Sequence, residues 1–150
     1  PYPRAAEATP LSQLALILAG VCSAAAAIAH VVCVLVGAPA YRAMGAGERM
    51  ARAAEAGHLQ PTILTLGIAG MLGVWALYAF SAAGWLPRLP LMRWALVAIS
   101  AVYLARALAF PLLMPSFPEN SLRFWLVSSS ICLVIGALHA YGTWSRWSQL

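Results

Sequence analysis

Residues 92–115 read MRWALVAISAVYLARALAFPLLMP, an apolar run long enough to cross a bilayer with one permanently charged side chain, Arg106, inside it. Apolar residues continue for about two helical turns beyond that arginine, which sets it well away from the membrane edge. A guanidinium at such depth costs at least ~2.5 kcal/mol unless something pairs with it or hydrates it. The other polar residues therefore sort by whether they can reach Arg106.

Composition supports a membrane class. The chain is 63% hydrophobic and 9% charged, with a mean hydropathy of +0.82. A soluble domain is about a quarter charged, so this inventory cannot build a water-facing surface. Lysine and aspartate are absent; nine arginines and four glutamates give the net charge of +5. The arginines scatter at the ends of apolar runs, which suits interfacial anchoring and excludes a nucleic-acid footprint. Cys22, Cys33 and Cys132 sit inside apolar runs without CxxC spacing and are expected as free packing thiols. The chain starts at Pro1 rather than Met, which leaves room for residues upstream. Its first apolar run is too long for a signal-peptide core and is expected to be a retained span.

Four spans are expected in an all-α, antiparallel four-helix membrane bundle that forms one domain: Leu11 to about Gly37, Thr62 to about Ala83, Leu91 to about Leu113, and Ser121 to about Thr143. Pro1 to Pro10 form a short tail. In the first span, Ser23, Ala26, Ala27, Cys33, Val34 and Gly37 share one helical face of mostly small residues, with His30 as the exception. Ala69 and Gly73 make a small-xxx-small pair in the second, with Gly67 and Gly70 alongside as packing residues. Tyr41 to Gln60 carries Glu48, Arg52 and Glu55 at helical spacing and is expected to be an amphipathic helix at the interface. Gly84 to Pro90 is a tight turn, and Pro111, Pro115 and Pro118 predict an irregular exit from the third span.

Four spans put both termini and the second connection on one side, A, and the other connections on side B. Trp85, Trp94, Trp144 and Trp147 then form an aromatic belt at A. Arginines divide equally between the sides, and the shorter, less neutralised A segments point to a cytoplasmic A side of a bacterial inner membrane.

Most polar residues collect on side B. Arg106 and His30 lie in that half; Glu48, Arg52, Glu55, His58 and Gln60 cap it from one connection, and Glu119, Asn120 and Arg123 from the other. Tyr103 lies one turn from Arg106 on the same face. The cluster predicts a polar cavity in which Arg106 and His30, with Tyr103, Glu55, His58, Gln60 and Glu119 around them, meet a small amphipathic or anionic ligand, lipids included. Arginine suits that task because its planar fork donates two parallel hydrogen bonds. The competing structural explanation makes Arg106 a staple to Glu55 or Glu119, or a cap on carbonyls freed by the prolines. His30 by itself is more often a helix-to-helix hydrogen bond.

No cofactor is expected. His30 and His139 differ in level by roughly 15 Å, too far to ligate one haem iron from both faces. His30 and His58 lack the thiolate or carboxylate company of a metal site. Ser128, Ser129 and Ser130 have no nucleophile context, and Glu55 with His58 reads first as a solvated helix face, so an enzyme ranks behind two other functions. These are a binding or transport protein with a B-side cavity, and a non-catalytic accessory subunit of a larger membrane complex. Membrane lipids are the expected partners, together with a second copy or a larger complex, because four helices enclose little volume.

Overall fold

The computed structural model describes residues 10–150; of the tail expected at Pro1 to Pro10, residues 1–9, with Arg4 and Glu7, lie outside the described residues, and Pro10 opens the first helix. Helix α1 spans Pro10–Val36, followed by the short helices α2 (Ala38–Ala43) and α3 (Glu48–Glu55) and the long α4 (Gln60–Ala82). Helix α5 spans Met92–Leu108, α6 Phe110–Leu113 with a 3-10 turn at Met114–Ser116, and α7 Leu122–Ser145 with a 3-10 turn at Trp147–Gln149. No strand occurs among the described residues.

Three helices, α1, α4 and α7, are long and apolar enough to cross a membrane, and a fourth span exists if α5 and its bent continuation count as one. Only 22% to 28% of the apolar window in each long helix is buried, so most of those side chains face outward. Leu35 on α1, Ile63 on α4 and Val134 on α7 are among the exposed ones. An apolar exterior on this scale is compatible with a lipid surround.

Local chemistry explains the helix ends. Gly37 closes α1 with φ 82°, a left-handed geometry open to glycine, and its N–H donates to Cys33 O at 2.9 Å. Pro61 sits in the first turn of α4, where its missing N–H costs nothing. Ser121 caps α7 by accepting from the Phe124 N–H at 3.1 Å. The third expected span departs from a straight helix: α5 stops at Leu108 and the chain bends by 61° into Phe110–Ser116. Pro111 is the cause, since it lacks an N–H and its ring would clash with the carbonyl of Ala107. Arg106 therefore lies in the last turn of α5, not midway along an unbroken helix.

Side chains tie α1 to α4, α1 to α7 and α5 to α7. Gln13 Nε2 on α1 donates to Ala83 O just beyond α4 at 2.9 Å, and the Phe80 ring lies against Gly20. Leu16 packs on Gly142, and Leu104 and Tyr103 pack on Gly136. Those three glycines admit the close approaches. Gly67, Gly70 and Gly73, expected to serve packing, instead face open space within the chain. Leu16, Leu72, Leu96, Ile99, Tyr103 and Ile135 form the main buried cluster.

The first connection is not one amphipathic helix but two short ones. Gly45 and Gly47 adopt φ 73° and 89°, which breaks the helix between α2 and α3. Arg42 then clamps the pair, its Nη2 2.9 Å from Glu48 and its Nη1 2.8 Å from Glu55, while Arg52 Nε reaches Glu48 at 3.1 Å. Asn120 Nδ2 donates to Gly45 O at 3.0 Å, and Phe124 and Phe117 pack beside Gly45 and Gly47, docking this cap on the segment before α7.

Candidate functional site

Arg106 is half-buried between the end of α5 and the start of α7. Its Nη2 donates to Ser128 Oγ at 3.4 Å, and its Cζ lies 5.2 Å from the centre of the Trp125 ring. Its Nη1 is enclosed and has no hydrogen-bond partner. No carboxylate among the described residues reaches it: Glu48 and Glu55 belong to the Arg42 clamp, and Glu119 forms no ion pair. Ordinary helix spacing explains the pairing with Trp125 and Ser128, which share a face one turn apart near the start of α7.

Behind Trp125 lies a second feature, reached through Phe117. Phe117 meets Trp125 edge-on with ring centres 6.2 Å apart, and Phe117 lines a groove of 630 Å³. Glu48, Arg49, Gln60, Ser116 and Glu119 supply the polar groups of that groove. It lies between α3, the start of α4 and the turn after α6. The clamp holds Glu48 ionised: hydrogen bonds from Arg42, then from Arg52, lower its pKa to about 2, and the same contacts raise that of Arg42.

The seven residues singled out from the sequence distribute over six places, Arg106 standing apart from the other six. Gln60 and Glu119 share the groove, and Glu55 is in the clamp. His58 is exposed in the turn after α3. His30 Nδ1 bonds Ala26 O of its own helix at 2.7 Å, and no hydrogen bond or ion pair links it to Arg106. Tyr103 is buried, its hydroxyl 2.9 Å from Ser23 Oγ, with the Trp75 ring edge-on at 5.2 Å and the His139 ring stacked at 5.5 Å. That polar knot at mid-bundle was not anticipated. His139 is fully buried, with Nδ1 3.0 Å from Ile135 O and Nε2 unpartnered.

Trp125 and Ser128 were likewise missed. Counting from the chain break rather than from the last apolar residue finds them: Arg106 is two residues from the end of α5, and Trp125 three residues into α7.

No group of three or more histidine, cysteine or acidic side chains suited to a metal ion occurs among the described residues, and all three cysteines are free thiols. No known protein family, curated protein or solved structure matches the chain.

Proposed function

We propose that the protein is a four-span membrane protein, with α5 and its bent continuation as the third span, that binds an anionic amphiphile through Arg106. One observation carries this: Arg106 has an aromatic face beneath it, one weak hydroxyl partner and no carboxylate, with Nη1 enclosed and unpartnered. A staple would need an acidic residue, and the two glutamates of the cap are already held by Arg42. The bend after Leu108 brings the guanidinium toward headgroup level, where an anionic headgroup or carboxylate meets it and the apolar remainder lies along the outward faces of α5 and α7. Binding rather than catalysis suits a site with no general base beside it. Four helices enclose little volume, so a second copy or a larger membrane complex supplies further walls.

Native mass spectrometry in mild detergent tests this on wild type beside Arg106→Gln. A discrete added mass on wild type, absent from an equally folded variant, is the expected result. Bare protein in both, with the variant losing an oligomer or its fold, would replace this function with that of an accessory subunit.

A further inference from the structure

The opposite end of the bundle, where α4 ends, α5 begins and α7 ends, holds a second concentration of positive charge. Arg93 and Arg106 are thirteen residues apart on α5, roughly 20 Å at 1.5 Å per residue, so the two ends are separate sites. Arg88 and Arg146 line a cavity of 180 Å³ together with Ser81, Gly84 and Gln149. Arg146 Nε is enclosed without a hydrogen-bond partner, and no carboxylate among the described residues pairs with either guanidinium. Arg93 is occupied differently: its Nε donates to Leu150 O at 2.9 Å and its guanidinium lies 5.5 Å from the Trp147 ring, which fixes the wall beside the cavity.

Size and shape narrow the occupant. A drug-sized ligand needs roughly 300 Å³ or more, whereas this volume equals about six waters at ~30 Å³ each, the scale of a headgroup. The cavity shares Arg88, Met92 and Leu150 with an open groove of 700 Å³ that continues over Leu91, Arg93 and Trp94. Leu91 and Trp94 are 75% and 69% exposed, an apolar ledge beside the charged pair. Two arginines lining one small space suit a tetrahedral oxyanion, and an adjoining apolar ledge suits an ester of it carrying acyl chains.

We propose that this cavity holds the phosphate of an anionic phospholipid between Arg88 and Arg146, with the glycerol and the first acyl carbons laid along Leu91 and Trp94. Arg106 takes no part in it, so loss of either site leaves the other.

The test is native mass spectrometry of the full chain in mixed micelles containing phosphatidylglycerol and phosphatidylcholine with the same acyl chains. Wild type is expected to retain phosphatidylglycerol in preference. Arg88→Gln/Arg146→Gln lowers that retention by roughly ten- to thirty-fold, the share expected of two arginines facing an anionic headgroup. Arg88→Lys/Arg146→Lys, which keeps the charge and loses the fork, retains more than the glutamine variant and less than wild type, and Arg106→Gln keeps this adduct while losing any held at its own site. Melting followed by circular dichroism checks folding, and Arg146→Gln alone carries the same comparison if the double variant does not fold. Equal retention of both lipids by wild type, or full retention by the folded glutamine variant, would overturn the proposal. Inorganic phosphate alone, offered in lipid-free detergent, separates the two sources of the anion. A phosphate adduct that the glutamine variant loses would replace the lipid with the free ion; none is expected.

Discussion

The guanidinium of Arg106 lies 5.2 Å from the centre of the Trp125 ring and within reach of no carboxylate among the described residues. Breaking a buried ion pair by removing one partner costs about 3–5 kcal/mol, because the other charge is left uncompensated. Here no opposite charge is left behind. Arg106→Met, which keeps the length of the side chain and its contact with Trp125, is therefore expected to change stability by no more than about 1 kcal/mol, the size of a partly exposed cation–π contact. Chemical denaturation in detergent measures it. A loss of several kcal/mol would return Arg106 to the role of a staple.

The α2–α3 cap responds to acid through Glu48. Its pKa in the folded chain, about 2, lies below the ordinary 4.5 because Arg42 and Arg52 donate hydrogen bonds to the carboxylate. A group whose folded pKa is depressed contributes stability that is full above the unfolded value and is lost as pH falls through the folded one. The cap is expected to hold at neutral pH and loosen between pH 4.5 and 2. Hydrogen exchange read residue by residue shows this as faster exchange at Glu48–Glu55 while the interior of α1 and α4 stays protected. Glu48→Gln is expected to exchange faster at neutral pH and to lose the acid dependence contributed by this carboxyl. Equal protection of the wild-type cap at both ends of that range would dismiss the clamp as a stabilising element.

Much of the fold is legible in the sequence because lipid-scale apolar runs mark their own ends. The expected spans at 11–37, 62–83 and 121–143 correspond to α1, α4 and α7 within two residues at each end. The third run reads as one span to about Leu113 with an irregular exit at its prolines, and the clash of the Pro111 ring with the carbonyl of Ala107 makes that exit a helix end and a bend of 61°. That single break moves Arg106 from the interior of a span to the end of a helix. The partners of Arg106 were hidden for a different reason. Helix α7 is apolar nearly all round, so no periodicity marks the face carrying Trp125, Ser128 and His139. Gly45 and Gly47 were overlooked as breakers because the charges of α3 keep a helical spacing on their own. Grouping residues by side of the membrane put Gln60 and Glu119 together, and side alone says nothing of which helix face His30 occupies.

Glycines that look alike in the sequence are expected to answer substitution differently. A Cβ on Gly142 would lie 2.5 Å from Leu16 Cγ, with no space to relax into. Gly142→Val is expected to cost about 1–3 kcal/mol, the usual penalty for overpacking. Gly70 has nothing within 4 Å of its Cβ position, so Gly70→Ala is expected to be neutral or to gain up to about 1 kcal/mol from helix propensity. Melting temperatures of the two variants in one detergent give the comparison. Destabilisation by Gly70→Ala would mean that this face of α4 is covered by another chain in the assembled protein.

Leu91 is the one residue other than glycine at positive φ among the described residues, at φ 53° and ψ 28° immediately before α5. Left-handed geometry costs an L-residue with a full side chain about 1–2 kcal/mol, and asparagine much less. The Leu91 side chain is 75% exposed, so it returns little of that cost through packing inside the chain. Leu91→Asn is therefore expected to raise stability by about 1 kcal/mol, and Leu91→Val to lower it, since a β-branched residue is still less tolerant of this region. Lipid retention should move the other way for asparagine. If Leu91 is kept because its side chain lies against the acyl chains of a lipid held at Arg88 and Arg146, the more stable Leu91→Asn protein retains phosphatidylglycerol less well than wild type. A variant that gains stability and keeps the lipid would show that strain at this turn has no part in binding.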